Sequence, residues 1–248
     1  SPQRSSSKKR LATKRRTKTT HPRQQALHAL PLQSTFVVKK TITRFVSRKD
    51  AKLNQPAFYS DSIRMVLDLT RSRPHEVTTL AITGPDCAGK STLAQWLKNE
   101  LIERGYWASL IKADSYIRLR ESRTGLPTEA DDYYLNGFDL EQLLQDVGAI
   151  KKTFQSGEQS STPKIILVEG VFLLKTEIAP NWDASIWLEI TDDEILERGT
   201  NRDAEFFGSE EKARSVYETR IIPAQHIHRT RDLPKDAATS VHNATSAT

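Results

Sequence analysis

An apolar strand, a glycine turn and the start of a helix follow one another without interruption near residue 84. The strand portion, VTTLAIT at 77–83, is rich in β-branched and apolar residues, which is typical of a strand buried within a sheet. After the turn at Gly84, apolar residues from Leu93 to Leu101 recur with the spacing of one helical face. A buried strand that leads directly into a helix predicts an α/β fold with a parallel sheet.

Other parts of the chain continue this alternation. Strands are predicted at 107–113, 165–170 and 185–190, and helices at 60–72, 138–150, 193–200 and 210–222. The first helix would be capped by Ser60 or Asp61 and stopped by Pro74. The pattern therefore predicts a parallel sheet flanked by helices on both faces. Residues 34–47 fit either a short strand or a helix.

The turn itself, GPDCAGKST at 84–92, matches the pattern G-x-x-x-x-G-K-[ST] in full. Glycines let the backbone N–H groups approach phosphate oxygens, and the helix that follows points its positive end at them. A glycine turn without a ligand is the alternative, which the strand–turn–helix context disfavours. We therefore predict a P-loop NTPase fold and a nucleotide site formed by Gly84, Asp86, Cys87, Ala88, Gly89, Lys90, Ser91 and Thr92.

Ser91 and Glu169 are the predicted magnesium ligands. In this motif the lysine, Lys90, reaches the β- and γ-phosphates, and the Ser91 hydroxyl binds Mg²⁺. Glu169 ends the apolar run 165–168, so its carboxylate should lie at the same sheet edge as the turn. The alternative for Glu169 is an ordinary acidic residue that faces solvent at a strand end.

Lys90 and three further residues are candidates for catalysis. Asp114 follows the predicted strand 107–113, where its carboxylate could accept a proton from an attacking hydroxyl or could instead cap the next segment. Arg198 and Arg202 lie four residues apart, on one face of a predicted helix. They could neutralise a transferring phosphate, or they could form a solvated face paired with nearby acidic residues.

Read together, six segments of residues 60–245 resemble, in order, the uridine kinase-like proteins, relatives of phosphoribulokinase and pantothenate kinase. They are TGPDCAGKSTLA (83–94), KADSYIRL (112–119), FDLEQLL (138–144), ILVEGVFLL (166–174), WLEITDDEILERGTNRD (187–203) and the stretch 217–243. The resemblance implies that Asp114 is the base, that Glu169 lies at the metal, and that Arg198 and Arg202 belong to a mobile lid.

The sequence departs from the family pattern on the acceptor side. The region where uridine kinases carry an aspartate that binds the ribose reads DDYYLNG (131–137), with Tyr133 near that place. Residues 151–163 are too short and polar to replace the family's aromatic base-binding insertion. The resemblance therefore supports the phosphate-donor half of the site and leaves the acceptor open.

Charge divides the chain into two parts. Residues 1–49 hold 14 Lys and Arg residues and no Asp or Glu, and because the whole chain is +6, residues 50–248 carry −8. We predict a basic, largely disordered extension at 1–58 and a P-loop kinase domain at 59–248. The extension, residues 1–49 in particular, could bind RNA or another polyanion, serve as a mitochondrial transit sequence or a nuclear-localisation patch, or be only a solvated tail.

Composition bears on the cellular compartment and on membrane association. A single cysteine, Cys87, excludes an intrachain disulfide and favours an intracellular location, cytoplasmic, mitochondrial or nuclear. No apolar run reaches the length of a membrane span, so a membrane partner is not expected.

Two functional hypotheses follow. The leading one is a kinase that uses Mg²⁺ with ATP or GTP to phosphorylate a hydroxyl of a nucleoside or similar small metabolite. The alternative is a catalytically degenerate homologue that binds nucleotide and serves as an assembly component, anchored to RNA by its basic tail. A GTPase switch is disfavoured because the chain lacks an N-K-x-D motif.

Overall fold

The computed structural model describes residues 56–73, 76–119, 126, 128–156 and 162–244. Residues 1–55, and with them nearly all of the basic extension and the segment 34–47, lie outside these ranges, so the predictions made for them, including the domain boundary at residue 58, stay predictions. Among the described residues, no helix has the length and apolar content that crossing a membrane requires.

Five parallel strands form one sheet in the order β2-β3-β1-β4-β5. Their bounds are β1 Val77–Thr83, β2 Trp107–Lys112, β3 Lys164–Glu169, β4 Ala184–Glu189 and β5 Ser240–Asn243. Every residue of the central strand β1 is buried, as its apolar, β-branched sequence predicts. This parallel sheet confirms the predicted α/β class.

Helices connect the strands and cover the sheet. They are α1 Ala57–Ser72, α2 Lys90–Glu103, α3 Glu129–Asn136, α4 Leu140–Ser156, α5 Asp192–Phe207, α6 Glu210–Val216, α7 Ile222–Arg231 and the short α8 Pro234–Ala237. A π-helical turn, Tyr217–Ile221, joins α6 to α7. A 3₁₀ turn, Ala113–Tyr116, follows β2.

Two apolar clusters lie on opposite faces of the sheet, because successive side chains of a strand point to opposite sides. On β1, Leu80 and Ile82 belong to one cluster and Ala81 belongs to the other. Helices α1 and α2 cover the first face, whereas α4 covers the second with Leu143 and Val147. The sheet is thus buried on both sides, and only its edges and strand ends remain for polar chemistry.

Several boundaries differ from the sequence-based prediction. Helix α1 begins at Ala57 rather than at Ser60 or Asp61, because aromatic side chains of its first turn pack into the core; the Tyr59 and Trp96 ring centroids lie 4.9 Å apart. Helix α5 continues to Phe207, beyond the predicted end at 200. Helix α3 and strand β5 were not predicted.

Candidate active site

The turn between β1 and α2 depends on glycine at its first position. Gly84 has φ 142°, and a β-carbon there would lie 2.2 Å from the carbonyl oxygen of Leu188 on the neighbouring strand β4. Gly89, at the last position before α2, has φ 85°. Both conformations favour glycine, which has no side chain. Gly84 allows the close contact with β4, and Gly89 allows the left-handed backbone conformation of the residue that precedes α2.

Lys90 begins α2 and is 92% buried. Its ammonium group donates a hydrogen bond of 2.5 Å to the backbone oxygen of Pro85, on the opposite side of the turn. The side chain therefore spans the turn and holds a positive charge above it. The first backbone N–H groups of α2 lack partners within the helix, so the same place offers donors as well as charge.

Ser91 and Glu169 meet across the two central strands. The Ser91 hydroxyl donates a hydrogen bond of 3.1 Å to Glu169 Oε2. Glu169 is the last residue of β3, in register with Ile82 of β1 and Lys112 of β2, so the parallel alignment brings these strand ends together. Burial raises the pKa of Glu169, although the Ser91 hydrogen bond opposes this shift.

Asp114 lies in the 3₁₀ turn that follows β2, and its side chain is exposed. No side chain caps this turn, so the carboxylate is not used as the cap that the sequence allowed. The next strand end is packed closely against the turn: a β-carbon on Gly170 would lie 2.4 Å from the Ala113 β-carbon. That contact fixes the turn beside Glu169, where Asp114 lines the same cavity.

Arg198 and Arg202 lie on α5, one helical turn apart. Arg198 donates a hydrogen bond of 2.6 Å to Glu194 and one of 3.3 Å to the backbone oxygen of Cys87 in the turn. Arg202 makes two hydrogen bonds to Asp203, of 2.8 and 2.9 Å. The arginines therefore pair with nearby acidic residues and also line the cavity at the turn, and their role at a transferring phosphate stays a prediction.

These groups surround one open cavity of about 380 Å³. Its walls contain the candidate residues from the turn, the strand ends and α5, together with Val171: Asp86, Cys87, Gly89, Lys90, Ser91, Thr92, Asp114, Glu169, Arg198 and Arg202. Gly84 and Ala88 are buried behind it. Elements separated by more than 100 residues in the chain are thus brought to one place, of a size suited to a small ligand.

Sequence reasoning missed two supports of this cavity. The Gln225 side chain on α7 donates a hydrogen bond of 2.7 Å to Asp86 Oδ2. Burial raises the pKa of the Asp86 carboxyl. The hydroxyl of Tyr217 donates a hydrogen bond of 2.7 Å to Asp203 and accepts one of 3.0 Å from Arg202. No local pattern marks either residue, because each acts through a contact made only in the folded chain.

The residues at the turn fit a magnesium ion that is bound together with a nucleotide. Within the described ranges, no group of three or more His, Cys, Asp or Glu side chains could hold a metal. Mg²⁺ in phosphate-transfer sites is usually held by one or two protein oxygens, with phosphates and water completing the shell. The adjacent oxygens of Ser91 and Glu169 provide such a pair.

No protein-family model matches the chain, and no curated protein matches its sequence. Solved structures do resemble it. A protein described as a possible uridine kinase from Bacillus stearothermophilus is 21% identical over 74% of this chain and 98% of its own, with a TM-score of 0.53. A candidate fructose transport system kinase from Silicibacter sp. TM1040 is 20% identical over the same shares, with a TM-score of 0.57.

A third similar structure is a candidate P-loop kinase with a circular permutation from Saccharomyces cerevisiae. It is 12% identical over 77% of this chain and 99% of its own, with a TM-score of 0.52. The chain therefore has the fold of P-loop kinases, which confirms the predicted fold. At these identities the likeness concerns the fold and does not carry a substrate.

Proposed function

We propose that this chain is a small-molecule kinase that transfers the γ-phosphoryl group of ATP or GTP to a hydroxyl of a nucleoside or similar metabolite. One observation carries the proposal: Lys90, Ser91, Glu169, Asp114, Arg198 and Arg202 line the same cavity. A phosphate-binding turn alone would fit many nucleotide-binding proteins. An exposed carboxylate and two arginines opposite that turn are what phosphoryl transfer to a hydroxyl needs in addition.

The donor nucleotide would place its phosphates on the turn, where backbone N–H groups and the Lys90 ammonium supply positive potential. Ser91 and Glu169 would hold Mg²⁺, which neutralises phosphate charge when it is bound. Lys90 already donates to Pro85, and its buried position fixes the charge before the substrate arrives. Such preorganisation avoids a reorganisation cost during the reaction.

Asp114 would act as the general base. The acceptor oxygen attacks the γ-phosphorus, the bond from that phosphorus to the bridging oxygen breaks, and the acceptor proton passes to the Asp114 carboxylate. The products are the phosphorylated acceptor and a nucleoside diphosphate. Asp114 is exposed and lines the cavity, so its carboxylate can reach a hydroxyl bound there.

Arg198 and Arg202 would stabilise the charge on the transferring group. Arg198 already reaches the turn through the Cys87 carbonyl, while Tyr217 and Asp203 orient Arg202. The carboxylates of Glu194 and Asp203 keep the arginines in place when phosphate is absent.

The proposal is tested by incubating purified protein with Mg-ATP or Mg-GTP and a panel of nucleosides, sugars and hydroxy acids. Acceptor-dependent release of nucleoside diphosphate is expected from the wild-type chain. Asp114→Asn should abolish most of this release, whereas Asp68→Asn, which removes an exposed carboxylate on α1 that does not line the cavity, should not. If no acceptor supports release although nucleotide binds, the kinase proposal is wrong.

The alternative of an RNA-anchored assembly component keeps one supporting observation, the acid-free basic run at 1–49 beside a domain of net charge −8. A basic segment gains affinity for polyanions by releasing counterions, so binding should weaken steeply with salt. RNA binding by the full chain and by a chain that lacks 1–49 tests this. Equal binding by the two proteins would contradict a role for the extension.

A further inference from the structure

The guanidinium group of Arg220 is linked to the candidate active site through a series of aromatic side chains. Arg220 belongs to the π-helical turn Tyr217–Ile221 and is half-buried. Among the described residues, its buried Nε atom has no hydrogen-bond partner and no carboxylate forms an ion pair with its guanidinium. Arg220 instead stacks on the ring of Tyr133, 5.5 Å from the ring centroid.

Other half-buried arginines of the protein are treated differently. Arg198 pairs with Glu194, Arg73 with Asp183, and Arg229 with both Asp192 and Glu189. A guanidinium withdrawn from water normally requires an anion or several acceptors, because its desolvation is costly. An arginine fixed by an aromatic ring but left without an anion is prepared to receive one from a ligand.

A series of aromatic contacts leads from Arg220 to residues that neighbour the cavity. The Tyr133 ring packs 5.7 Å from the rings of Phe172 and Phe138. Phe172 is next to Val171, which lines the cavity, and Phe138 forms a β-bridge with Ile117, three residues after Asp114. These contacts connect Arg220 to the strand ends that carry Glu169 and Asp114.

The helical segment that carries Arg220 also contacts the predicted phosphate-binding turn. Gln225, five residues after Arg220, donates a hydrogen bond of 2.7 Å to Asp86 of the turn. The π-helical turn between α6 and α7 changes the direction of the side chains that follow it, and such turns often occur at functional sites. It allows Tyr217 to reach Asp203 while Gln225 reaches Asp86.

We infer that Arg220 binds an anionic group of the acceptor, a carboxylate or a phosphate, and that the substrate is therefore an acidic hydroxyl compound. This inference rests on the proposed kinase function. It makes Arg220 a specificity-determining residue, whereas Asp114 receives the proton. It also agrees with the position of Tyr133, which is buried against Phe172 and not available to bind a ribose as an aspartate would.

Two sets of compounds that differ in charge test the inference: glycerol, glycerate and glycerol 3-phosphate; and ribose, ribonate and ribose 5-phosphate. Wild-type protein should phosphorylate a charged member at least about ten-fold more efficiently than its neutral counterpart. Arg220→Gln should lower kcat/KM for that charged compound about 10- to 100-fold, as expected for the loss of a charge-assisted hydrogen bond, with little change for the neutral one. The acid and phosphate arms show which anion the site prefers.

Arg231→Gln is the matched control, since Arg231 is also stacked on a tyrosine, 5.7 Å from the Tyr134 ring centroid. It should leave the charge preference intact. Arg220→Lys should retain part of it, whereas a merely structural role would reduce thermal stability without changing the ratio between charged and neutral acceptors.

Calorimetry separates a failure of the Arg220 inference from a failure of the kinase proposal. If wild-type protein binds Mg-nucleotide but prefers neutral acceptors, the Arg220 inference is overturned and the kinase proposal stands. If no compound is phosphorylated, titration with ribonate and ribose 5-phosphate still tests Arg220, because binding should weaken in Arg220→Gln. Equal affinity in both proteins, or no binding of either anion, overturns the inference.

Discussion

Ser91 and Glu169, which are 78 positions apart in the chain, are joined by a hydrogen bond of 3.1 Å. Ser91 is the second residue of α2, and Glu169 is the last residue of β3. The contact exists because β1 and β3 are adjacent and parallel, so their carboxyl ends open on the same side. It brings a hydroxyl and a carboxylate together at the place where a nucleotide's phosphates and their metal would lie.

Gly84→Ala should destabilise the protein strongly. The new β-carbon would lie 2.2 Å from the Leu188 carbonyl oxygen, at a residue with φ 142°. We expect a loss of about 2–4 kcal/mol in the free energy of unfolding, from steric overlap plus backbone strain. Urea unfolding measures it.

Gly148→Ala is the matched control for this prediction. Gly148 lies within α4, and a β-carbon there would have no atom within 4 Å. The substitution should stabilise the protein by about 0.5–1 kcal/mol, because alanine is the better helix former. Equal effects of the two substitutions would contradict the close β1–β4 contact.

Asp114→Asn should lower kcat by about 10²–10⁴-fold and leave nucleotide affinity unchanged. The amide keeps the size of the carboxylate but cannot accept the acceptor's proton. Steady-state kinetics with a competent acceptor, together with calorimetric titration of nucleotide, separates the two effects. A near-normal kcat would assign the base elsewhere.

Arg202→Gln should lower kcat by about 10²–10³-fold, as expected when one donor to the transferring group is lost. Arg214→Gln on α6 removes an exposed guanidinium whose one ion pair among the described residues is with Glu218, and it should have little effect. Single-turnover kinetics with saturating nucleotide measures the chemical step. Similar rates for both variants would place Arg202 outside the reaction.

Lys175 should make stability depend on pH. Burial lowers its pKa to about 8, from a usual value of 10.5, and its ammonium group lies 4.2 Å from the Tyr134 ring centroid. Between pH 8 and 10.5 the lysine is largely protonated in the unfolded chain but largely neutral in the folded chain. The free energy of unfolding should therefore rise with pH in this window, by up to about 3 kcal/mol. Below pH 8 both states are protonated, and the contribution is constant.

Comparison with Lys175→Met isolates this effect from the tyrosines that titrate in the same range. The wild-type free energy of unfolding minus that of the variant should increase between pH 8 and 10.5. A difference that stays flat across this window would show that the buried amine keeps an ordinary pKa.

Much of the fold follows from local sequence. VTTLAIT predicts the central strand because seven β-branched or apolar residues suit burial on both sides, and the glycine turn predicts the start of α2. Helix α3 was missed because its sequence, EADDYYLN, is short and acidic, and only Tyr133, Tyr134 and Ala130 are buried. Strand β5 has four residues and no apolar run, so its pairing with β4 decides its structure.

The site divides in a similar way. Residues at the turn and at strand ends were predictable because a parallel sheet brings its carboxyl ends together. Tyr217 was not, since its role depends on Gly199: a β-carbon at that glycine would lie 2.2 Å from the tyrosine ring. Arg220 carries no sequence signal either, because only the folded chain shows that its guanidinium stacks on Tyr133 and pairs with no described carboxylate.

The most direct test of the account is calorimetric titration of Mg-ATP and Mg-GTP into wild-type protein, Lys90→Ala and Lys98→Ala. Lys98 lies on the same helix as Lys90 but outside the cavity that Lys90 lines. We predict that Lys90→Ala weakens nucleotide binding about 10- to 100-fold, the effect of losing a charge-assisted contact to phosphate, and that Lys98→Ala does not. Equal affinity in all three proteins would contradict a nucleotide site at this turn.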